Sequence, residues 1–374
     1  GHDGQGAYID DGVAVAHTRL SILDVTAAGH QPMLTEDGEF VLSFNGEIYN
    51  HAEFRSELLK KYRFKSQSDT ESLLYAFKEW DETCLGLCRG MFAFSILDKK
   101  KRDLFLAVDR FGIKPLYYID TPDWFAWSSE IKSLLLLPGF VPKFRKAVLH
   151  EYLLFRSVAG PETLIEGIYK ILPAHSLRYS IATGAVEQKK YWSRGEATNA
   201  TAPPGSSEDA IRNLLTRSVR EHLLADVPVG IQLSGGVDSS LIGALVRREI
   251  PATQELHSFS IGSPDPRWNE FEYSRLASHV LKTNHHELIF TEEDFCKNLP
   301  IATYHYDEPI NHSHSVPMML LAEEAKKHVK VLLSGEGADE IFGGYSRYLM
   351  LAQDRDLTDE MILYSNAFVP QNDA

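Results

Sequence analysis

The stretch Ser234-Gly235-Gly236-Val237-Asp238-Ser239-Ser240 follows an apolar run over residues 227–233 and opens a run with helical spacing over residues 239–248. Its two adjacent glycines let the backbone turn tightly and bring amide groups up to a ligand. Those amides, the serine hydroxyls and the amino end of the helix together form a cradle for an anion. A bare Gly-Gly would read as a turn with a serine cap, but the whole heptad between strand and helix is far more specific. Asp238 inside such a cradle would be repelled by phosphate unless a cation intervenes, which implies magnesium. No Gly-x-x-x-x-Gly-Lys-Ser/Thr loop occurs in the chain, so the phosphate loop of kinases and ATPases is excluded.

Outward from this loop, strand and helix alternate. Strands are expected at residues 227–233, 256–261, 287–290 and 329–333, and helices at 239–248, 273–281 and 316–328. This rhythm predicts a parallel sheet covered on both faces, with ligands bound beyond the carboxyl ends of its strands. Upstream, a helix beginning at residue 207 is expected, capped by Ser206 or Ser207, with Glu208 and Asp209 at the positive end of its dipole. Ile211, Leu214, Leu215, Val219, Leu223 and Leu224 mark its apolar face. The small, polar, proline-bearing residues 196–206 read as a linker. Before it, strands are expected at 13–16, 40–44, 91–97, 103–108, 116–119 and 124–127, and helices at 52–62 and 70–80. Connections this short favour antiparallel pairing.

Composition bounds the rest. With 374 residues, 44% hydrophobic and 24% charged, the chain fits a globular protein of two domains. A formal net charge of −14 argues against a sequence-independent grip on nucleic acid or anionic lipid. Lys99-Lys100-Lys101-Arg102, between two strand-like runs, reads as a solvated hairpin turn. No run approaches the length of a spanning helix, and the first residues lack the apolar core of a signal peptide. Three cysteines, Cys84, Cys88 and Cys296, make no disulfide framework; a reducing, cytoplasmic setting is expected, with Cys84 and Cys88 as buried thiols.

The heptad is similar to the loop of the ATP pyrophosphatases. A second strand-end motif, Leu332-Leu333-Ser334-Gly335-Glu336-Gly337-Ala338-Asp339-Glu340-Ile341-Phe342-Gly343-Gly344-Tyr345, resembles the signature of the asparagine synthetases nearly residue for residue. That resemblance implies that Glu336 is the general base for ammonia attack on an acyl-adenylate, and that Asp339, with Asp238, lies near the pyrophosphate and its magnesium. Leu233, Ile261, Ser334 and Gly335 would hold adenine and ribose, and Ser234, Gly235, Gly236, Asp238, Ser239 and Ser240 the phosphates of ATP. The chemistry is coherent on its own terms: a carboxylate accepts ammonia only with a good leaving group attached, and incoming ammonium must lose a proton, which a carboxylate can take.

The first half resembles the glutaminase domain of the glutamine-dependent members of that family. Arg19-Leu20-Ser21-Ile22 resembles the stretch whose arginine binds the glutamine carboxylate, and Asn45-Gly46-Glu47-Ile48-Tyr49-Asn50 the oxyanion segment. The Asn45 side chain and Gly46 amide would donate to the tetrahedral intermediate; Glu47 and Asp69 would hold the substrate ammonium. Asp109 to Tyr118 and Ser129-Glu130-Ile131-Lys132 also look like family signatures, with structural roles. The amino-terminal cysteine nucleophile of that class is absent, since the sequence starts with Gly1; loss of the first strand is the expected reason. His305, Asp307, Glu308, His312 and His314 crowd ten residues and are expected to line the aspartate or ammonia pocket rather than to bind a transition metal.

The resemblance therefore implies an Ntn-type αββα sandwich glutaminase domain (1–195), the linker (196–206) and a PP-loop parallel-sheet α/β ligase domain (207–374), incomplete at its carboxyl end, where residues 354–374 match no family segment. It implies glutamine, aspartate and ATP as small-molecule partners, magnesium, no nucleic acid, no membrane, and a homodimer. A relative amidating another carboxylate, or a catalytically silent nucleotide- or glutamine-binding protein, are the alternatives.

Overall fold

A computed structural model describes residues 1–10, 12–194, 207–345 and 348; the expected linker and residues 354–374 lie outside them. The chain divides into two compact units, Gly1–Phe144 with Gly160–Val227, and Arg145–Ala159 with Pro228–Ala374. The division is more entwined than a single cut near residue 200. Arg145–Ala159 counts with the second unit, where the Tyr152 hydroxyl donates to the Pro309 carbonyl at 2.6 Å and Asn311 Nδ2 to the Arg156 carbonyl at 2.8 Å. The helix Ser207–His222 counts with the first.

The first unit carries β1 (Gly4–Asp10), β2 (Val13–Arg19), β3 (Met33–Leu34), β4 (Phe40–Ile48), β5 (Gly90–Asp98), β6 (Asp103–Val108), β7 (Tyr117–Asp120), β8 (Phe125–Ser128), β9 (Tyr169–Lys170), β10 (His175–Ser180) and β11 (Val186–Lys190). Six of them form an antiparallel sheet in the order β11-β10-β6-β5-β4-β3. Its central strands are near-continuous apolar runs because both faces are covered. On one face Phe92, Phe94, Ile96 and Phe105 meet Phe54 and Leu58 of the helix His51–Leu58, and Leu73, Leu74 and Phe77 of the helix Asp69–Trp80. On the other, Ala93, Leu104, Leu106 and Val108 pack against Leu116, Tyr118 and Ile171. That second face is closed by the three-stranded sheet β8-β7-β9. Its outer residue Ile119 packs with Ile131 and Leu134 of the one-turn helix Ile131–Leu134. The order is helices, sheet, sheet, helix, the αββα sandwich expected, with its last layer reduced to a single turn.

Local chemistry sets the helix ends and turns. Ser68 Oγ accepts the Thr70 amide at 3.1 Å to start the helix Asp69–Trp80. The basic run is the β5–β6 hairpin turn: the Asp98 carboxylate accepts the amides of Lys100 and Lys101 at 3.0 and 2.9 Å. Strands β1, β3, β9, β10 and β11 were not foreseen in the sequence, since their polar residues or, for the two-residue β3 and β9, their shortness give no apolar period.

In the second unit β12 (Val229–Gln232), β13 (His257–Gly262), β14 (Asn284–Ile289) and β15 (Val331–Leu333) form an all-parallel sheet ordered β14-β13-β12-β15. The helices Val237–Glu249, Phe271–Leu281 and Ser315–Ala325 connect them as expected. The helix Glu292–Tyr306 was not expected, because Pro300 sits inside it; a capping box between Thr291 and Asp294 starts it nonetheless. At β12 the strand order changes direction, with β13 and β14 on one side and β15 on the other. Such a switch point opens a crevice beyond the carboxyl ends of the two strands that flank it. Among the described residues no helix is long and apolar enough to cross a membrane.

Candidate functional site

In the second unit, both motifs sit where the topology opens that crevice. Leu233, the residue after β12, is fully buried, and its amide donates to the Phe259 carbonyl at 2.9 Å. The chain then turns through Gly235, whose φ of +91° only glycine adopts freely. A Cβ there would also collide with the backbone of Tyr273 and Ser274. Ser234 Oγ lies 2.9 Å from Ser239 Oγ and accepts the Gly236 amide at 3.2 Å, which closes the loop on itself. Gly236 caps the helix Val237–Glu249 without a side-chain bond, so the first turn presents backbone amides rather than a built-in acceptor. Ser240 donates its amide to the Gly236 carbonyl at 3.0 Å.

The second motif closes on the first. Gly335, two residues past β15, lies so near the helix start that a Cβ would stand 2.9 Å from Asp238 Cβ and 3.2 Å from the Ser239 amide nitrogen. Ser234 to Ser240 and Ser334 to Gly335 are therefore two lips of one crevice. Asp238 and Asp339 are half-buried there and Glu336 is exposed. The Asp339 carbonyl accepts the Gly344 amide at 3.0 Å, folding the last glycines back over the short helix Ala338–Phe342. Glu336 is near enough to His312 to oppose the burial and the His314 and Arg156 charges that push the His312 imidazole down. His312 Nδ1 lies 2.9 Å from His314 Nδ1. Of the histidine-rich segment, His312 comes near Glu336. Ile261, half-buried, lies on β13 in register with Leu288.

In the first unit, Asn45, Gly46 and Glu47 end β4, opposite Ala93, Phe92 and Met91 of β5. Asn45 is exposed and Gly46 half-buried. Glu47 is buried, and its Oε1 has no hydrogen-bond partner. Asp69, also buried, accepts the Ile48 amide at 2.9 Å and the Thr70 amide at 2.8 Å. Burial first, then the Asp69 charge, pushes Glu47 up to about 8, against the pull of Lys114. Burial likewise raises Asp69 to about 6, opposed by its amide donors and Ser68. Two carboxyls forced together in a low-dielectric pocket, one with an orphaned oxygen, make a site for a cation such as an ammonium group.

A pH dependence follows. Glu47 keeps its proton to about pH 8 when folded, whereas a solvated glutamate loses it near 4.5. The folded state thus holds an extra proton across that window; the stabilisation is complete below it and is lost as pH rises through it. Glu47→Gln cannot ionise, so denaturation at pH 5 and pH 8.5 should show the native chain losing roughly 2–4 kcal/mol more than the variant. Parallel losses would contradict a buried, proton-holding Glu47.

Arg19 is placed otherwise than a free carboxylate clamp. It is buried, and its fork donates to the carbonyls of Thr26 at 3.0 Å, Leu23 at 3.1 Å and Asp24 at 2.5 Å. A glutamine carboxylate would have to share that guanidinium with the loop it holds. Cys84 and Cys88 are the buried thiols expected, both pushed up chiefly by burial, and Cys296 is exposed on the second unit. Sequence reasoning left Asp109 and Lys114 within a signature without individual roles. Asp109, fully buried, accepts four backbone amides, from Phe92, Phe111, Ile113 and Lys114, at 3.0–3.1 Å.

Residues 1–192 match the family described as glutamine amidotransferase domain, and residues 210–368 that described as asparagine synthase, so residues 354–368, expected to match no family segment, fall within the second match. Glutamine-hydrolyzing asparagine synthetase 1 of Bacillus subtilis is 37% identical over 354 residues, 93% of this chain and 54% of its own length. Putative glutamine-hydrolyzing asparagine synthetase 2 of Methanocaldococcus jannaschii is 32% identical over 371 residues, 93% of this chain and 71% of its own. Asparagine synthetase B of Escherichia coli is 31% identical, over 97% of this chain and 62% of its own. The chain spans about half the length of the first of these relatives. With both domain families in this order and identities of this size along nearly its whole length, the chain belongs to the glutamine-hydrolysing asparagine synthetases.

Proposed function

We propose that this protein amidates L-aspartate to L-asparagine through β-aspartyl-AMP, using ATP and ammonia from glutamine and releasing AMP and pyrophosphate. The observation that carries the reading is the closure of Gly335 on Asp238 and Ser239, which joins an anion cradle to a carboxylate base in one crevice. In this reading the amides of Gly235, Gly236 and the helix start, with the hydroxyls of Ser234, Ser239 and Ser240, hold the phosphates. The backbone around Leu233, Ile261, Ser334 and Gly335 would receive adenine and ribose. Exposed Glu336 takes the proton that ammonium must lose, and half-buried Asp238 and Asp339 offer the hard carboxylate oxygens that suit magnesium. Magnesium bound there would neutralise negative charge on the phosphates.

The first unit would serve as the glutaminase half, with Glu47 and Asp69 around the substrate ammonium and Asn45 and Gly46 as oxyanion donors. The family names of the matched relatives support glutamine as nitrogen source. ATP as substrate and free thiols fit a cytoplasmic setting.

The test is product analysis. Purified protein given ATP, aspartate and ammonium should release AMP and pyrophosphate in step with asparagine, and release should depend on aspartate. Glu336→Gln should lower asparagine formation about 100-fold while ATP still binds. ADP and phosphate as products, or AMP formation indifferent to aspartate, would defeat the proposal.

A further inference from the structure

Three histidines far apart in sequence meet at the end of the parallel sheet opposite the nucleotide loop. His257 is the first residue of β13, His286 the third of β14, and His328 precedes β15. The parallel register pairs Phe259 with His286, which puts His286 diagonally beside His257 on one face. The ring centroids lie 5.2 Å apart for His257 and His286, 5.1 Å for His257 and His328, and 4.2 Å for His286 and His328. His257 Nδ1 is 2.9 Å from His286 Nε2, and one nitrogen from each ring falls within 4.8 Å of the others. A carboxylate stands by: Glu324 Oε1 is 4.0 Å from His328 Nε2. Among the described residues this is the one group of three such side chains close enough to share an ion.

We propose that His257, His286 and His328 form a binding site for a divalent transition ion of the zinc type, with Glu324 as the fourth ligand. Three imidazole nitrogens and a carboxylate are a zinc donor set. A tetrahedral ion at about 2.0–2.1 Å from each nitrogen needs nitrogens about 3.3 Å apart. One nitrogen pair now lies 2.9 Å apart and all three ligand nitrogens lie within 4.8 Å of one another, so small ring rotations reach that spacing without moving a strand. The base of the site is dry: Phe259, fully buried, stacks at 4.8 Å on His286. An ion there would tie β13, β14 and the segment entering β15 together from the end remote from chemistry. It is a structural site, independent of the proposed reaction.

The probe is Co2+, whose visible absorption reports four-coordinate nitrogen and oxygen ligands. Chelator-treated protein should take up one equivalent of Co2+ with strong visible bands, lose them on addition of one equivalent of Zn2+, and unfold at higher temperature with Zn2+ present. His286→Gln and His328→Gln should each weaken Co2+ binding at least about 10-fold. Because His328 is exposed, its variant keeps the fold and remains a fair test. The double variant His312→Ala and His314→Ala should leave the bands unchanged. Absence of a stoichiometric step, survival of the bands in both glutamine variants, or their loss only with His312 and His314 would overturn the site.

Discussion

Gly235→Val is expected to reduce AMP formation more than about 100-fold, with the far-ultraviolet circular dichroism of the protein unchanged. The backbone at this position has φ +91°, a region that costs a side-chain-bearing residue about 1–2 kcal/mol. The larger effect is steric. The new Cβ would enter the backbone of Tyr273 and Ser274, two residues inside the helix Phe271–Leu281. That helix packs on β13 through the buried Phe271 and Ser274, so the loop must yield instead. Displacing the loop separates the Gly236 amide and the Ser239 hydroxyl from the partners they now have. A displacement of about 1 Å at a positioning element costs on the order of 100-fold in rate. Retention of more than a tenth of the native rate would show that the cradle is not built by this turn.

The second large effect is on stability. Asp109→Ala should destabilise the first unit by about 3–5 kcal/mol, as four buried amides lose one acceptor. For a unit of this size that lowers the first thermal transition by roughly 6–20 °C. Asp109 ties the loop Phe111–Lys114 to the start of β5 at Phe92, and its carbonyl accepts the Ala174 amide at 2.8 Å. Asp109→Asn separates charge from hydrogen bonding: its one carbonyl oxygen can keep two amides, while its amide nitrogen faces donors. It should recover little of the lost stability. If calorimetry gave both variants within about 1 kcal/mol of the native chain, Asp109 would not be the organiser of that loop.

How much of this was legible in the sequence depends on how far apart the partners lie. The loop Ser234 to Ser240 announced itself because its glycines, serines and flanking strand and helix are contiguous, and the alternation around it gave the parallel sheet. The meeting of Gly335 with Asp238 was implicit once both motifs were placed at strand ends, since such ends gather beside a switch point. The antiparallel core strands β4, β5 and β6 were visible as apolar runs, but β10 and β11 were not, because Arg178, Glu187, Gln188 and Lys189 break the period at the sheet's exposed edge. The capture of Arg145–Ala159 by the second unit rests on bonds to Pro309 and Asn311, and no local pattern encodes those. The raised Glu47 arises from burial beside Asp69, a long-range product of the fold of β4 against the helix Asp69–Trp80. The histidine trio is the extreme case: residues 257, 286 and 328 become neighbours only through parallel register.

Acyl-adenylate formation is the central step of the proposed reaction, and isotope transfer tests it most directly. Aspartate carrying 18O in its β-carboxylate should be incubated with the protein, ATP and an ammonium salt, and the AMP examined by mass spectrometry. One 18O per AMP formed, with asparagine retaining the other, is the predicted result. AMP without label, or label appearing in inorganic phosphate, would contradict it.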